Sequence, residues 1–317
     1  MVTPDLGIII VNWNTRELLR GCLASLPAAT GSLVSEIIVV DNGSSDGSSA
    51  MVRDAFPGVR LEEPGENLGF ARANNRAIEL TTGRAVLLLN PDTVCPPDSL
   101  ARLLAAADAR PGCGGVGPLL IDTGGAPTIT CGNFPSLRHH LARPLAQLPL
   151  GRRWERWVKF THIPHRDEPD HPVDYVAGAC LLIPRAALES VGLLDERFFL
   201  YFEETDWCQR AWHAGRPIIL CNTVEVVHLE GKAAELVSHF SLQQFHHSYR
   251  QYLDKHDGRV AVLFLRAALI WEQSLQWLVH AVRPWSPRNR KLAARAAFEL
   301  SLQFQKNIAP QPPTSPS

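Results

Sequence analysis

Five side chains in this 317-residue chain have types and settings that point to chemistry: Asp41, Asp92, Glu203, Glu204 and His228. Asp41 closes the apolar run Ile37 to Val40, Asp92 follows Ala85-Val86-Leu87-Leu88-Leu89-Asn90-Pro91, and His228 closes Thr223 to Val227. Carboxylate oxygens with one imidazole and no accompanying thiolate suit Mg2+ or Mn2+ rather than a structural zinc site. Such a cation commonly holds a diphosphate. Each residue also has an ordinary reading. A lone histidine at a strand end is more often a hydrogen-bonded structural one. Glu203 and Glu204 at a helix start complement the macrodipole without any catalytic role, and Asp206 would complete a cap there.

The elements around them must deliver these groups to one place. Short unbroken apolar runs with hard polar stops read as strands buried on both faces. Leu6 to Val11 stops at Asn12, Glu36 to Val40 at Asp41, and Ala85 to Leu89 at Asn90 and Asp92. Pro91 has no amide N–H, so it ends the pairing of its strand. Helical stretches lie between them: one whose apolar face is Leu18, Leu19, Cys22, Leu23 and Leu26, another from Ser48 to Ala55, and a third from Ala71 to Leu80. Thr15 or Asn14 is a cap candidate for the first, and Asp98 for a helix over 99–109. Strands alternating with helices over short connections predict right-handed βαβ units and a mostly parallel, doubly wound α/β sheet. Its polar strand ends then share one edge, where open α/β sheets bind ligands. A G-x-G-x-x-G after the first strand and a G-x-x-x-x-G-K-[ST] anywhere are both missing, which disfavours a dinucleotide fold or a P-loop.

Beyond this sheet, Gly114 to Ile121 reads as a strand, and residues 134–171 are rich in Pro, Arg, His and Trp, with a short helix expected at 154–160. An insertion of that kind is either a substrate-shaping loop or a surface excursion. Val173 to Ile183 reads as one strand whose small centre, Gly178 and Ala179, admits close approach of a ligand or backbone. Phe198 to Phe202 reads as a strand or extended approach, and Glu203 to His213 as a helix. Pro217 to Leu220 and Thr223 to Val227 read as two strands. The C-terminal part is helical, with the stripe Leu263, Ala267, Ile270, Ser274, Trp277 and Ala281. Together with Trp271, Trp285 and flanking arginines it fits either an interfacial helix on a membrane surface or a helix packed on its own domain. The tail after Ile308 is expected to be disordered.

A formal net charge of −1 gives no basic field for nucleic acid. Seven scattered cysteines with no C-x-x-C pair predict reduced thiols and a cytoplasmic setting. The first ten residues lack a basic n-region, so no signal peptide is expected. The run Val260 to Val282 contains Arg266, Glu272, Gln273 and His280 and is too polar for a transmembrane helix.

Read in order, Val11-Asn12-Trp13-Asn14, Val40-Asp41-Asn42-Gly43-Ser44-Ser45-Asp46-Gly47-Ser48, Glu66-Asn67-Leu68-Gly69-Phe70, Ala73-Asn74-Asn75, Leu89-Asn90-Pro91-Asp92 and Phe198 to Arg210 resemble the family 2 glycosyltransferases, in particular the bacterial rhamnosyltransferase-like branch. The resemblance covers about residues 6–230. It implies a GT-A fold over 1–232, with a nucleotide-sugar half to about 122 and an acceptor-side half with a smaller sheet beyond, followed by a helical region over 233–307. It implies inverting transfer of a sugar from a nucleoside diphosphate, dTDP-rhamnose first and UDP- or GDP-sugars as alternatives. The acceptor would be a glycan or polyprenyl-linked glycan, used in cell-wall or surface polysaccharide synthesis at the cytoplasmic face of the inner membrane. Asp41 would contact the nucleotide base, while Asn12, Asn14, Asn67, Gly69, Asn74 and Asn90 line the nucleotide-sugar pocket. Asn90-Pro91-Asp92 takes the place of the Asp-x-Asp metal motif, with Asp92 as the direct ligand and His228 completing the metal and diphosphate site. Glu204, second of the acidic pair, would be the catalytic base, with Gly178, Ala179, Glu203, Asp206 and Trp207 on the acceptor side or behind it.

The chain departs from the family pattern at three points. Asn90 removes one negative metal ligand, Glu204 stands where many relatives carry aspartate, and Ala233 and Ala234 replace a small hydroxyl residue after the histidine. Two other classes remain: a nucleotidyltransferase on a similar sheet, which usually needs a basic Gly-rich loop where this chain has Asn12-Trp13-Asn14-Thr15, and a sugar-nucleotide-binding protein that has lost turnover.

Overall fold

The computed structural model describes residues 3–136, 161–229 and 238–264, with 267, 291 and 295. The described residues fall into two compact units: 3–134 with 161–229 and Ser238, and a second comprising 135–136 and the helical residues from 239 onward. The expected helix at 154–160, Ala233 and Ala234, the Trp271, Trp277 and Trp285 face and the tail after Ile308 lie outside the described residues.

The first unit opens with β1 (Leu6–Asn12), α1 (Arg16–Thr30), β2 (Ser35–Asp41), α2 (Ser48–Ala55), β3 (Arg60–Glu62), α3 (Phe70–Leu80) and β4 (Ala85–Leu89). β1, β2, β3 and β4 are parallel neighbours in the order β3-β2-β1-β4. β5 (Thr93–Val94), α4 (Ser99–Asp108) and β6 (Gly115–Ile121) follow. β11 (Cys180–Pro184) then enters antiparallel between β4 and β6, and β12 (Ile218–His228) lies parallel to β6. The sheet is therefore mixed at its centre and parallel on the side of β1 to β3. Its faces carry separate cores. Ile8 and Ile10 pack with Leu19, Leu23 and Leu103, whereas Ile9 and Val11 pack with Ala73, Ala77 and Trp207. That alternation is the period of two of a strand sandwiched by helices. Ile8, Ile9 and Ile10 have no exposed surface, and each contributes about 1.5–3 kcal/mol through burial.

A second, three-stranded sheet has the order β10-β7-β8, from Tyr175–Val176 (β10), Cys131–Gly132 (β7) and Thr161–His162 (β8). β8 comes from the stretch 134–171 that is hardest to read from sequence, and β9 (His171–Val173) begins at its last residue.

Several expectations are corrected. Val173 to Ile183 is not one strand. It splits into the end of β9, then β10, then β11, and the small residues Gly178 and Ala179 lie where the chain crosses from the minor sheet to the major one. The two strands expected over 217–227 are one, β12, with its register shifted between Cys221 and Glu225. Phe198 to Phe202 is neither strand nor extended: Tyr201 and Phe202 both adopt the left-handed conformation, with φ of 68° and 70°. Neither Thr15 nor Asn14 caps α1. Thr15 Oγ1 donates to Asn12 Oδ1 at 2.6 Å, and the Arg16 N–H is instead accepted by Asp46 Oδ2 at 2.8 Å, from the neighbouring loop. Asp98 makes no side-chain cap on α4.

In the second unit, α7 (Ser238–His256) buries Tyr249, Tyr252 and Leu253, and Phe245 stacks on Tyr249 with ring centroids 6.4 Å apart. Leu263, the first residue of the expected apolar stripe, and its neighbour Phe264 are exposed. Among the described residues no helix is long and apolar enough to cross a membrane.

Candidate active site

The ends of β1 and β2 meet in register, Asn12 opposite Asp41. Asn12 Nδ2 donates to Asp41 Oδ1 at 3.0 Å and to Ser44 Oγ at 3.1 Å. The hydroxyls of Ser44 and Ser49 also donate to the Asp41 carboxylate. Asn14 sits with φ of 55°, accepts the Ser45 N–H on its Oδ1 at 2.7 Å, and gives its own N–H to Ser44 Oγ at 2.9 Å. A buried carboxylate carries its charge only when donors surround it. Here three supply that environment and lock the loop 42–48 into one shape. Ser44 and Ser49 lie in or just beyond the quoted loop motif, but composition alone does not single them out.

Asn67 and Gly69 form the next wall. Asn67 Oδ1 accepts the Gly69 N–H at 2.9 Å. Asn42 clamps this turn from the β2 side: its Oδ1 accepts the Leu68 N–H at 3.4 Å and its Nδ2 donates to the Gly69 carbonyl at 3.2 Å. Asn74 donates to the Phe70 carbonyl at 2.9 Å, while its buried Oδ1 has no partner among the described residues. Its neighbour Asn75 is spoken for, since its amide bridges Leu194 through both the N–H and the carbonyl.

The metal candidates are brought together by a short ladder. β5 pairs antiparallel with the end of β12, so that Thr93 faces His228, and the Leu229 N–H donates to the Asp92 carbonyl at 2.9 Å. Asp92 Oδ1 and His228 Nε2 are 3.3 Å apart. Asp92 Oδ1 is buried and has no hydrogen-bond partner among the described residues, and the same holds for His228 Nδ1. Two ligands of one divalent cation, each about 2.0–2.1 Å from it, stand at such a separation, so this pair fits a cation. Among the described residues no group of three His, Cys, Asp or Glu side chains is arranged to hold a metal. Asn90 contributes its backbone: its N–H donates to the Ala179 carbonyl at 2.9 Å and its own carbonyl accepts the Thr93 hydroxyl at 2.8 Å. Beneath it, Cys22 lies 3.5 Å from Thr93 Oγ1, and burial pushes its thiol up to about 12.

The acidic pair opens α6 (Glu203–His213). Tyr201 and Phe202, immediately before it, carry left-handed conformations that ordinarily store about 1–3 kcal/mol each. The two acids differ. Glu203 is 4% exposed and its Oε2 has no partner among the described residues. Its carboxyl is held well above the ordinary range, first by burial and then by the charge of Glu204. Glu204 is only partly buried and is raised by desolvation, an effect partly offset by its own N–H, those of Thr205 and Gly178, and the Thr205 hydroxyl. Gly178 leaves room for it, because a Cβ there would stand 3.3 Å from Glu204 Cγ. The adjacent residues Gly178 and Ala179 thus touch Glu204 on one side and Asn90 on the other. This step joins the acidic helix to the Asp92 rim.

Asp206 and Trp207 do different work. Asp206 has no exposed surface and accepts from Arg210 Nε at 2.9 Å. Arg210 in turn donates to the carbonyls of Val191 and Leu193, and Trp207 Nε1 donates to Gly192 at 2.8 Å. Both residues fasten α6 to the end of α5 (Arg185–Val191) and stand behind the acidic pair rather than on a ligand surface.

The family model described as Glycosyl transferase family 2 matches residues 7–192. The N-acetylglucosaminyl-diphospho-decaprenol L-rhamnosyltransferase of Mycobacterium tuberculosis is 32% identical over 284 residues, 85% of this chain and 89% of that protein. A low-salt glycan biosynthesis hexosyltransferase of Haloferax volcanii is 27% identical over 254 residues, covering 79% of this chain and 73% of its own length. Among solved structures, GalNAc-T7 with UDP, GalNAc and Mn2+ superposes with a TM-score of 0.59 at 14% identity, covering 98% of this chain and 59% of that one. The mannosyltransferase PcManGT of Pyrobaculum calidifontis, with GDP-Man and Mn2+, gives 0.52 at 17% identity over 96% of this chain and 87% of its own.

Proposed function

The chain belongs to glycosyl transferase family 2 and is a glycosyltransferase of GT-A fold, and we propose that it moves L-rhamnose, with inversion, from dTDP-rhamnose to a polyprenyl-diphosphate-linked glycan such as N-acetylglucosaminyl-diphospho-decaprenol. The observation that carries the reaction type is the Gly178–Ala179 step, which sets Glu204 beside the rim bearing Asp92 and His228. The choice of sugar and acceptor rests on the 32% identity to the mycobacterial enzyme across 89% of its length.

In this reading Asn12, Asp41 and Ser44 shape the nucleoside end, and the Asn67–Gly69 turn closes over it. Glu204 takes the proton of the acceptor hydroxyl as it attacks the anomeric carbon, a positioned-base effect of about 10²–10⁴-fold. Desolvation raises its proton affinity above that of an ordinary carboxylate, which makes it the stronger base. Asp92 and His228 would hold Mg2+ or Mn2+, which when bound offsets the charge of the departing diphosphate. Inversion needs only one base, on the face opposite the leaving group. Leu263 and Phe264, exposed in the second unit, support a peripheral contact with the membrane that carries a lipid-linked acceptor.

The test is a panel of nucleotide sugars incubated with N-acetylglucosaminyl-diphospho-polyprenol and Mg2+ or Mn2+. Release of dTDP with formation of a rhamnosylated lipid is expected. Transfer from a UDP- or GDP-sugar alone would replace the donor assignment, and pyrophosphate as the product would replace the reaction class. Sedimentation with anionic liposomes at low salt checks the membrane contact.

A further inference from the structure

We propose that Asn42 and Gly69 are positioning residues for Glu204, so that the turn closing over the nucleotide is also the strut that sets the start of the acidic helix. The proposal rests on Glu204 being the base.

A continuous path of contacts leads from one to the other. Asn42 follows Asp41 and is 3% exposed; its own N–H donates to the Asn12 carbonyl at 2.8 Å. Its side chain holds both the Leu68 N–H and the Gly69 carbonyl. Gly69, at φ of 79°, is the residue before α3, and the next N–H, that of Phe70, donates to the Phe199 carbonyl at 2.6 Å. The approach is so close that a Cβ on Gly69 would stand 2.6 Å from that carbonyl oxygen and 2.7 Å from the Phe199 ring. From Phe199 the chain has little freedom. Phe198 and Phe202 are buried, Tyr201 and Phe202 are left-handed, and the first α6 hydrogen bond, Asp206 N–H to the Phe202 carbonyl, closes at 2.8 Å. A shift at Phe199 is therefore passed to Glu203 and Glu204 rather than absorbed. The reacting geometry tolerates little of this, since a misplacement of about 1 Å can lower a rate about 10²-fold.

Three roles for Asn42 give different results. A purely structural residue lowers the unfolding temperature and leaves the kinetics of the folded enzyme alone. A residue that only shapes the nucleotide turn raises the donor KM. A positioning residue lowers kcat at saturating donor. The experiment measures kcat and donor KM with dTDP-rhamnose for the full chain, Asn42→Ala, Glu204→Gln and the double variant, with thermal unfolding on each. We expect Asn42→Ala to lower kcat about tenfold or more with donor KM changed less than about threefold, and to have little further effect on the residual turnover of Glu204→Gln, because residues that act as a unit are non-additive. Asn42→Asp, which keeps the acceptor for Leu68 and loses the donor to Gly69, should fall between. It also serves as the kinetic probe if the alanine variant does not fold. A rise in donor KM with unchanged kcat overturns the proposal. So does an equal loss from Asn42→Ala in both backgrounds. Near-normal turnover by Glu204→Gln is a separate result, which removes the base assignment itself.

Discussion

The two polar clusters at the sheet edge are built on opposite rules. Around Asp41 every visible hydrogen-bonding demand is met from within: one amide and two hydroxyls serve its carboxylate, and Asn14 and Asp46 pin the loop beyond it. Around Asp92, Glu203 and His228, buried polar atoms stand without partners among the described residues. A satisfied network is rigid and specifies one shape, whereas an unpartnered buried group is destabilising and persists where a ligand or a reaction uses it. Under the proposed function the first cluster is a preformed cradle, and the second is left open for donor, cation and acceptor.

The sharpest break in that contrast is Glu204→Gln. If the open cluster holds the base, turnover falls about 10²–10⁴-fold while donor affinity stays within a few-fold. Near-normal turnover would show that the raised carboxyl is only a consequence of burial. Next is Asp92→Ala, which removes the proposed anionic ligand and should lower turnover by about 10²–10³-fold. Chelation by EDTA should reproduce the loss in the parent chain. Activity indifferent to chelator would mean that Asp92 and His228 pair for structural reasons.

Asp206→Asn tests the framework behind the pair. Breaking a buried ion pair by removing one partner typically destabilises by about 3–5 kcal/mol, and Arg210 would be left holding only carbonyls. A fall in the urea midpoint is expected, with kcat of the remaining folded protein little changed. A kcat loss without a stability loss would move Asp206 to the reacting side. A smaller effect comes from Gly178→Ala. Its Cβ meets Glu204 at 3.3 Å, tight enough to shift the carboxyl but not to exclude it. A drop in kcat of about tenfold is expected, with wild-type thermal stability.

These differences track what the sequence makes legible. The strands β1, β2 and β4 announce themselves as unbroken apolar runs, and a parallel sheet then forces Asn12, Asp41 and Asp92 to one edge. Local pattern covers all of that. Tertiary contacts decide the rest. β11 runs antiparallel through a sheet that the βαβ pattern reads as parallel, because the chain arrives from the minor sheet. The split at Gly178 and Ala179 looks in sequence like the middle of one strand, and its meaning appears only when Glu204 and Asn90 are seen on either side. Asp46 capping α1 from another loop, and Tyr201 with Phe202 held left-handed, carry no periodic signal at all. The roles of Asn42 and Asn75 were hidden for the same reason: their partners are 26 and 119 residues away in the chain.

The smallest effect is a matter of sign. Glu203 holds its proton in the folded chain to a pH well above its ordinary value near 4.5, because burial and the neighbouring Glu204 both penalise its charge. Between the ordinary and the raised value the unfolded chain has lost this proton and the folded chain keeps it. The folded state therefore binds more protons, and stability falls as pH rises. The contribution is complete below the ordinary value and is lost as pH climbs toward the raised one. Glu204 acts in the same direction, and the two titrate as a pair. Glu203→Gln has no proton to lose, so its unfolding temperature should decline less than that of the parent chain as pH rises above the ordinary carboxyl value. An identical decline in both proteins would mean that Glu203 gains a partner in solution, and the contrast between a satisfied cradle and an open rim would then narrow to Asp92 and His228.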